Sequence, residues 1–353
     1  MRRRTIIGLD IGTSSVRAAE VSFRNATPQL LRFGQLALPD GAVVDGEVAQ
    51  AAAVTAALQE LWSSAHFSHR RVILGIANPK VVIRQAEVPY YGSHEELRRA
   101  LPLVVGDQVP IDAATAVMDF APLEEIRASD GSRSLAGLLV AAVEEMVATT
   151  MEAVIAAGLT PATVDLSPFA VLRSAVWGPG LGLASHPEAV VDIGSDLTSI
   201  VVHEDGTPRF VRILLHGGRA ISTALMNDLG ISLAEAEQVK REVGLVGTAP
   251  MDASARRIIT RVSSELVDEI RGSLDYFVAS STHGGVTRIV LSGGTARLGG
   301  LLELISDRLH LPVDRASALA GLDVSRSGLS SAQIGFVDPI AVVPVGLALG
   351  GAA

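Results

Sequence analysis

The sequence predicts an α/β protein made of two similar halves, with an extra segment inserted into the first. Three observations predict it. Apolar, β-branched runs alternate with stretches of helical periodicity along the whole chain. The pattern of an apolar strand followed by Asp, Ile, Gly and a small polar residue occurs at 6–14 and again at 189–198, with Asp10 and Asp192 at matching positions. A third apolar strand ends in another glycine-bearing loop, Ser292-Gly293-Gly294-Thr295.

Taken in order, 5–9 reads as a strand that ends at Asp10-Ile11-Gly12-Thr13-Ser14-Ser15, with further strands at 16–23 and 29–38. The opening is therefore hairpin-like and not βαβ. Val54, Ala57, Leu58 and Leu61 give 48–64 a helical spacing, and 71–77 reads as the next strand, which places a first domain over 1–78. Beyond Asn78-Pro79 the character changes. Residues 81–88 are strand-like, Ser93-His94-Glu95-Glu96 has the pattern of a capping box, and 115–123 and 134–143 read as strands. A helix over 145–157 stops at Gly158, which suits a C-terminal cap, so the inserted subdomain is expected over 79–158. Residues 163–166 lead into an apolar helix at 168–176 and a turn-rich linker at 178–187, making 159–185 a connecting segment. The second domain, 186–339, repeats the opening with apolar runs before Asp192 and at 199–202. Helices at 219–229, 233–242 and 255–280 form a helical subdomain of about 219–283, followed by a strand at 287–291. The uncharged run 340–353 reads as a buried final helix that returns to the first domain.

Composition narrows the function classes. The 353 residues suffice for about two domains. A net charge of −9 with only 19% charged residues argues against disorder and against general nucleic-acid affinity, since a phosphate backbone is bound by concentrated basic side chains. Without cysteine there is no disulfide, no Cys-ligated metal and no thiolate nucleophile. The apolar stretches 135–143 and 340–353 fall short of the roughly 20 residues that cross a bilayer. Asp10 interrupts the segment behind Arg2, Arg3 and Arg4, against a signal peptide. A soluble, cytosolic protein is expected.

The chemistry lies in the three loops. Glycine lets the backbone approach an anion, exposed N–H groups and small hydroxyls donate to phosphate oxygens, and an Asp at a strand end can hold a hydrated divalent cation. One such loop is usually an ordinary strand-to-turn exit; three in this order suggest a phosphate site. His66 and His69 share a helix-like face but lack a third ligand nearby, so packing is the simpler reading. Tyr90 and Tyr91 are read as packing residues first and docking residues second.

The segments Ile7-Gly8-Leu9-Asp10-Ile11-Gly12-Thr13-Ser14-Ser15-Val16-Arg17, 41–48, 95–120 with Val109-Pro110-Ile111-Asp112 and Asp119-Phe120, and Ala156-Ala157-Gly158-Leu159 through Val164-Asp165 with Phe169-Ala170 carry a resemblance. In their order they resemble the PilM family: cytoplasmic type IV pilus assembly proteins of the actin-like ATPase superfamily, related to the division protein FtsA. The resemblance implies an actin-like (ribonuclease H-like) fold, with duplicated domains around a nucleotide cleft and ATP with Mg²⁺ as ligands. By it, Asp10 and Asp192 face each other and hold Mg²⁺ mostly through water, and are at most indirectly catalytic. Gly12, Thr13 and Ser14 bind the terminal phosphates from one side, and Gly194 and Ser195 from the other. Arg17 stands where many actin-like proteins place a lysine. Gly217 and Gly218 approach the ribose, Glu237 and Lys240 reach sugar and base from one helix face, Gly293 and Gly294 pass the α-phosphate and base, and Arg297 stacks on the adenine. The alternative for Glu237 and Lys240 is a solvated intrahelical ion pair.

Two departures from the family pattern stand out. Asp196 falls where many relatives have glycine, which puts a negative charge beside the phosphates. Only Asp165 and Ser167 are polar where a water-orienting residue is expected, so binding or slow ATP turnover is expected in place of fast hydrolysis. The implied function is a nucleotide-dependent adaptor. Its inserted subdomain docks the cytoplasmic N-terminal segment of a PilN-like inner-membrane protein, and it meets the membrane only through that partner, with self-association left open. Two alternatives stand beside it. One is an FtsA-like filament former, against which the uncharged C-terminal run speaks. The other is a small-molecule kinase of the same superfamily, for which Asp165 is the one candidate base.

Overall fold

The computed structural model describes residues 5–24, 27–112, 114–177, 186–249, 252–281 and 284–352. Arg2–Arg4 and most of the expected linker at 178–187 lie outside the described residues.

The chain opens with an antiparallel meander, β1 (Thr5–Ile11), β2 (Ser15–Ser22) and β3 (Gln29–Ala37). A short hairpin follows, β4 (Val43–Val44) and β5 (Glu47–Val48), then α1 (Ala51–Ala65) and β6 (Arg71–Ile76). The hairpin turns on Asp45 and Gly46, at φ 53° and 83°. Both residues are left-handed, as a two-residue hairpin turn with the twist of its strands requires. The helix consequently begins at Ala51 and not at the expected residue 48, because Val48 is paired with Val43.

The next elements are β7 (Val82–Pro89), α2 (His94–Val105), β8 (Ala116–Arg127) and β9 (Arg133–Val143), which form a separate sheet in the order β7-β9-β8. Alternation along β8 and β9 turns Met118, Phe120, Leu139 and Ala141 onto Leu97, Leu101 and Val105 of α2. Helix α3 (Glu144–Ala156) does not belong with this sheet: its Ala153 and Val154 are buried with Val54, Leu58 and Leu61 of α1. The strand β10 (Thr160–Leu166) pairs in parallel with β6. Two expectations are corrected here. The inserted segment ends at residue 143 and not 158, and 160–166 is a strand of the first sheet and not a connector. Periodicity cannot reveal which sheet a strand joins.

The second half follows α4 (Ser167–Trp177) with β11 (Glu188–Ile193), β12 (Thr198–Glu204) and β13 (Thr207–Leu214), then α5 (Gly218–Leu229), α6 (Leu233–Val243) and α7 (Ala253–Ser280). It continues with β14 (Arg288–Ser292), α8 (Leu301–Leu309), β15 (Val313–Arg315), α9 (Ser331–Val337) and α10 (Val342–Gly350). The two main sheets share one topology, β10-β6-β1-β2-β3 against β15-β14-β11-β12-β13. In each, a three-stranded meander is flanked by two parallel strands.

Strands buried on both faces need near-continuous apolar runs, and each face has its own partner. Ile7 and Leu9 of β1 pack toward α1 and α3, whereas Ile6 faces a central layer that also receives Val190 of β11 and Val290 of β14. Helices α4 and α10 form that layer between the sheets. Their crossing is close enough that a Cβ on Gly346 would fall 1.8 Å from the Ala170 carbonyl oxygen. On the far side of the second sheet, Val191 and Ile193 pack with Ile259, Val262 and Leu266 of α7.

No single helix among the described residues is long and apolar enough to cross a membrane. A bent pair, Ser331–Ile340 with Val342–Gly350, passes by length and composition, but its second member is buried from Val342 to Leu349.

Candidate functional site

The duplicated sheets bring the two Asp-Ile-Gly loops face to face. Each is the same turn: the Gly12 N–H donates to the Ser15 carbonyl at 3.0 Å, and the Gly194 N–H to the Leu197 carbonyl at 2.8 Å. Asp10, Gly12, Thr13, Ser14 and Arg17 from one half, and Asp192, Gly194 and Ser195 from the other, line a cavity of about 70 Å³, with Ser167 at its wall.

Electrostatics in this cavity are unrelieved. Burial pushes the Asp10 carboxyl up to about 6; Arg17, whose Nη1 lies 3.2 Å from Oδ2, opposes the rise, and the nearby Asp192 adds to it. Burial also raises Asp192, against the Ser292 hydroxyl that donates to it at 2.6 Å and the charge of Arg17. The Arg17 Nε is buried without a hydrogen-bond partner. The donor set suits a divalent cation that keeps most of its water. Among the described residues no group of three or more metal-ligating side chains exists, so two carboxylates would supply the protein's share.

A larger cavity of about 510 Å³ shares Ser14, Arg17, Gly194 and Ser195 with the first, and adds Glu237, Lys240, Arg241, Gly294, Thr295, Arg297 and Phe336. Its basic side chains outnumber its acidic ones, as an anionic ligand needs. The expected glycines divide into two kinds. A Cβ on Gly217 would lie 2.4 Å from the Ser195 carbonyl oxygen, one on Gly218 2.2 Å from the Thr295 hydroxyl, and one on Gly293 2.3 Å from the Ile193 carbonyl oxygen. Their missing side chains thus make room for protein as well, so glycine is required at these three positions by packing alone. Around Gly294 a Cβ would meet nothing within 4 Å, so its bare backbone faces the cavity.

Glu237 and Lys240 line the cavity as a partly buried, hydrogen-bonded pair. Lys240 Nζ donates to the Gly218 carbonyl at 3.0 Å, the Ser222 hydroxyl at 2.8 Å and Glu237 Oε1 at 2.7 Å, tying α6 to α5. Burial lowers the Lys240 pKa despite Glu237. Burial works to raise the Glu237 carboxyl, but the hydrogen bonds from Lys240 and Ser222 outweigh it, and the net shift is downward. Arg297 does lie over an aromatic plane: its guanidinium carbon is 4.0 Å from the centroid of the Phe336 ring, which is half-exposed.

Asp196 Oδ1 lies 2.9 Å from Arg219 Nε and accepts from the Ser195 hydroxyl of the second loop at 3.4 Å. Arg219 also reaches Asp40 of the first half, Nη1 to Oδ1 at 2.5 Å. Asp40 and Arg219 line both the 510 Å³ cavity and a neighbouring one of about 890 Å³, which Asp196 also lines and which touches neither Asp10 nor Asp192. Sequence reasoning missed Arg219, Asp40 and Phe336. One local signal was available for Arg219. A cation in the first turn of a helix opposes the helix dipole, so an external acid is to be sought. Asp165, expected near the chemistry, is ion-paired with Arg173 and lines neither of the two cavities at the loops. His69 Nε2 lies 3.1 Å from the Thr5 carbonyl oxygen, in keeping with a packing role.

Comparison with known proteins agrees with this architecture. The sequence profile of the type IV pilus assembly protein PilM family matches residues 8–352. A solved structure described as a PilM-PilN type IV pilus biogenesis complex superposes with a TM-score of 0.85 at 29% identity, covering 99% of this chain and 98% of that one. The ethanolamine utilization protein EutJ from Carboxydothermus hydrogenoformans shares the fold at a TM-score of 0.58 and 16% identity, over 99% of this chain and 90% of that one. MreB5 of Spiroplasma citri bound to ADP shares it at 0.52 and 14%, over 90% and 93%. The cell division protein FtsA of Streptococcus pneumoniae is 22% identical over 85% of this chain and 72% of its own length. With an actin-like fold throughout and the profile matched from Gly8 to Ala352, the chain belongs to the type IV pilus assembly protein PilM family.

Proposed function

We propose that this protein binds ATP with Mg²⁺ between its two halves and serves as a nucleotide-dependent adaptor. In this role it holds the N-terminal segment of a PilN-like inner-membrane protein on the cytoplasmic face. The observation that carries the nucleotide reading is the meeting of two matching glycine turns, each with a carboxylate two residues earlier, Asp10 buried and Asp192 partly buried, beside the partnerless Arg17 Nε. The backbone N–H groups and hydroxyls of Thr13, Ser14 and Ser195 would receive the terminal phosphates, Arg17 would neutralise them, and Asp10 and Asp192 would orient the hydrated cation. Held there, Mg²⁺ would supply the charge neutralisation that the carboxylates and the phosphates each need. The ADP in the MreB5 structure of the same fold supports this reading.

With Asp165 engaged by Arg173 and Asp196 ion-paired with Arg219, Asp10 and Asp192 are the only carboxylates among the described residues lining the 70 Å³ cavity, which favours binding or slow ATP hydrolysis over a kinase.

For the partner, the PilM-PilN complex supports a PilN-like segment as the ligand. Within the inserted sheet, Val117 stands opposite Ala142, on the face turned away from α2. Ala142 is buried with Ile76, Val81 and Met146, whereas Val117 is 46% exposed, so an apolar strip runs out of the core to the margin of the sheet. A peptide would seat its apolar anchors there. The test measures binding of the N-terminal peptide of the PilN-like protein to the full chain and to Val117→Asp, with ATP-dependent thermal stabilisation as a folding control. Loss of peptide binding with stabilisation intact is expected; undiminished binding would move the docking site elsewhere.

A further inference from the structure

The geometry points to Asp40 and Arg219 as positioning residues that bias the two phosphate loops toward close approach across the cleft. The inference rests on the nucleotide reading of those loops. Each member of the pair is fastened by backbone to one loop. The Leu38 N–H donates to the Ser14 carbonyl at 3.0 Å, anchoring the segment that carries Asp40 to the first loop. The Arg219 N–H donates to the Ser195 carbonyl at 2.8 Å, and the Gly218 N–H to the Gly194 carbonyl at 3.0 Å, anchoring the start of α5 to the second. The Arg219 guanidinium closes the circuit, with Nη1 2.5 Å from Asp40 Oδ1 and Nε 2.9 Å from Asp196. A continuous path thus runs from Ser14 through Leu38, Asp40 and Arg219 to Ser195, spanning residues 181 positions apart.

This strut also accounts for Asp196. A carboxylate on a phosphate loop would repel the ligand, but here it lies in ion-pair range of the guanidinium that reaches across, without a hydrogen bond to its Nε, and shares that one positive charge with Asp40. The Asp40 side chain is 67% exposed and that of Arg219 28%, so water and salt compete with the contact and it opens at small cost. Such a strut favours the closed cleft without locking it. A ligand that needs both loops then binds a preorganised site, and loss of the strut returns the cost of bringing the halves together.

The test uses the full chain, whose lack of cysteine allows clean labelling at Val44→Cys and Asn227→Cys, on opposite sides of the cleft. Distance between the labels is measured without nucleotide, and ATP affinity is measured on the unlabelled proteins. Asp40→Ala and Arg219→Ala should each widen the label distance and weaken ATP about two- to fivefold, the range of a partly exposed pair. The double variant should be no worse than either single one, and Arg219→Lys should recover part of the loss. Raising salt should widen the wild-type distance and leave Asp40→Ala unchanged. An unchanged distance in both single variants overturns the inference. So does unchanged or tighter ATP binding by Asp40→Ala alongside weaker binding by Arg219→Ala, for Arg219 would then grip phosphate by itself. Widening in the variants of a protein that fails to bind ATP would support the strut and reject the nucleotide reading.

Discussion

Asp10 and Asp192 occupy the same register in the duplicated sheets, yet only Asp10 has a cation across its hairpin: Asp10 pairs with Arg17 on β2, and Asp192 with Ser199 on β12. Their parallel neighbours differ as well, Gly75 beside Asp10 and Ser292 beside Asp192. The duplication therefore presents two carboxylates of unequal environment, one buried and one partly buried, to one small space. Without a cation between them, each raises the cost of ionising the other.

Asp10→Asn should stabilise the nucleotide-free protein near neutral pH. The folded pKa, about 6, lies above the ordinary 3.8. The favourable contribution of this group is therefore fully present below pH 3.8 and is lost as pH rises through 6. The ionised carboxylate then costs about 3 kcal/mol at pH 7, the opposing pull of Arg17 being already contained in the shifted value. Thermal melts should show the variant more stable than wild type at pH 7 and equal to it near pH 4. The same variant should lose stabilisation by ATP with Mg²⁺, and in wild type that stabilisation should grow between pH 5 and 7 as protons cease to compete with the cation. Equal melting temperatures at all pH values would contradict the assignment.

The glycines should separate in their effects. Gly217→Ala drives a Cβ into the Ser195 carbonyl at 2.4 Å, a contact with backbone that cannot swing away, and is expected to destabilise the fold by about 1–3 kcal/mol. Gly294→Ala meets open space and should leave the melting temperature of the free protein within about a degree or two of wild type, while weakening ATP. Denaturant titration and nucleotide titration on the same preparations distinguish the two.

Arg297 and Phe336 should act on the base and not on the phosphates. With the guanidinium over the ring at 4.0 Å, a nucleobase has two flat surfaces to stack on at the outer end of the cavity. Arg297→Ala and Phe336→Ala are each expected to weaken ATP about three- to tenfold, the scale of one stacking or cation–π contact. Calorimetry with inorganic triphosphate provides the control, since its affinity should be unchanged by Phe336→Ala.

Phosphate release from ATP should be slow, far under the roughly 10 per second of a median enzyme. Of the two polar residues expected to orient a water, Asp165 is held by Arg173 and only Ser167 lines the cavity at the loops. Neither sugars nor carboxylic acids should accelerate release; rapid phosphorylation of either would favour the kinase reading. Asp165→Asn should leave the slow rate unchanged.

What the sequence determined by itself is what local chemistry repeats. A strand buried on both faces must be apolar throughout, and a tight turn after it needs glycine, so the two Asp-Ile-Gly units stood out without coordinates and carried the fold class with them. Elements with mixed exposure did not stand out. Strand β13 lies at a sheet edge with only Val211 and Leu214 fully buried, and its residues Thr207 to Leu214 show no clear alternation. Helix α8 and strand β15 are short and half-exposed for the same reason. Tertiary structure alone decided which partner each group met. It seated Gly217 against Ser195, turned Lys240 onto α5, closed Asp165 with Arg173 and drew Arg219 to Asp40. Only the last of these contacts joins the two halves, across 179 positions; the other three close over 8 to 22 positions, yet each depends on how neighbouring elements pack and not on spacing. Spacing along a sequence encodes which side of a strand or helix a residue occupies, and it carries no information about what the other half of the molecule places opposite.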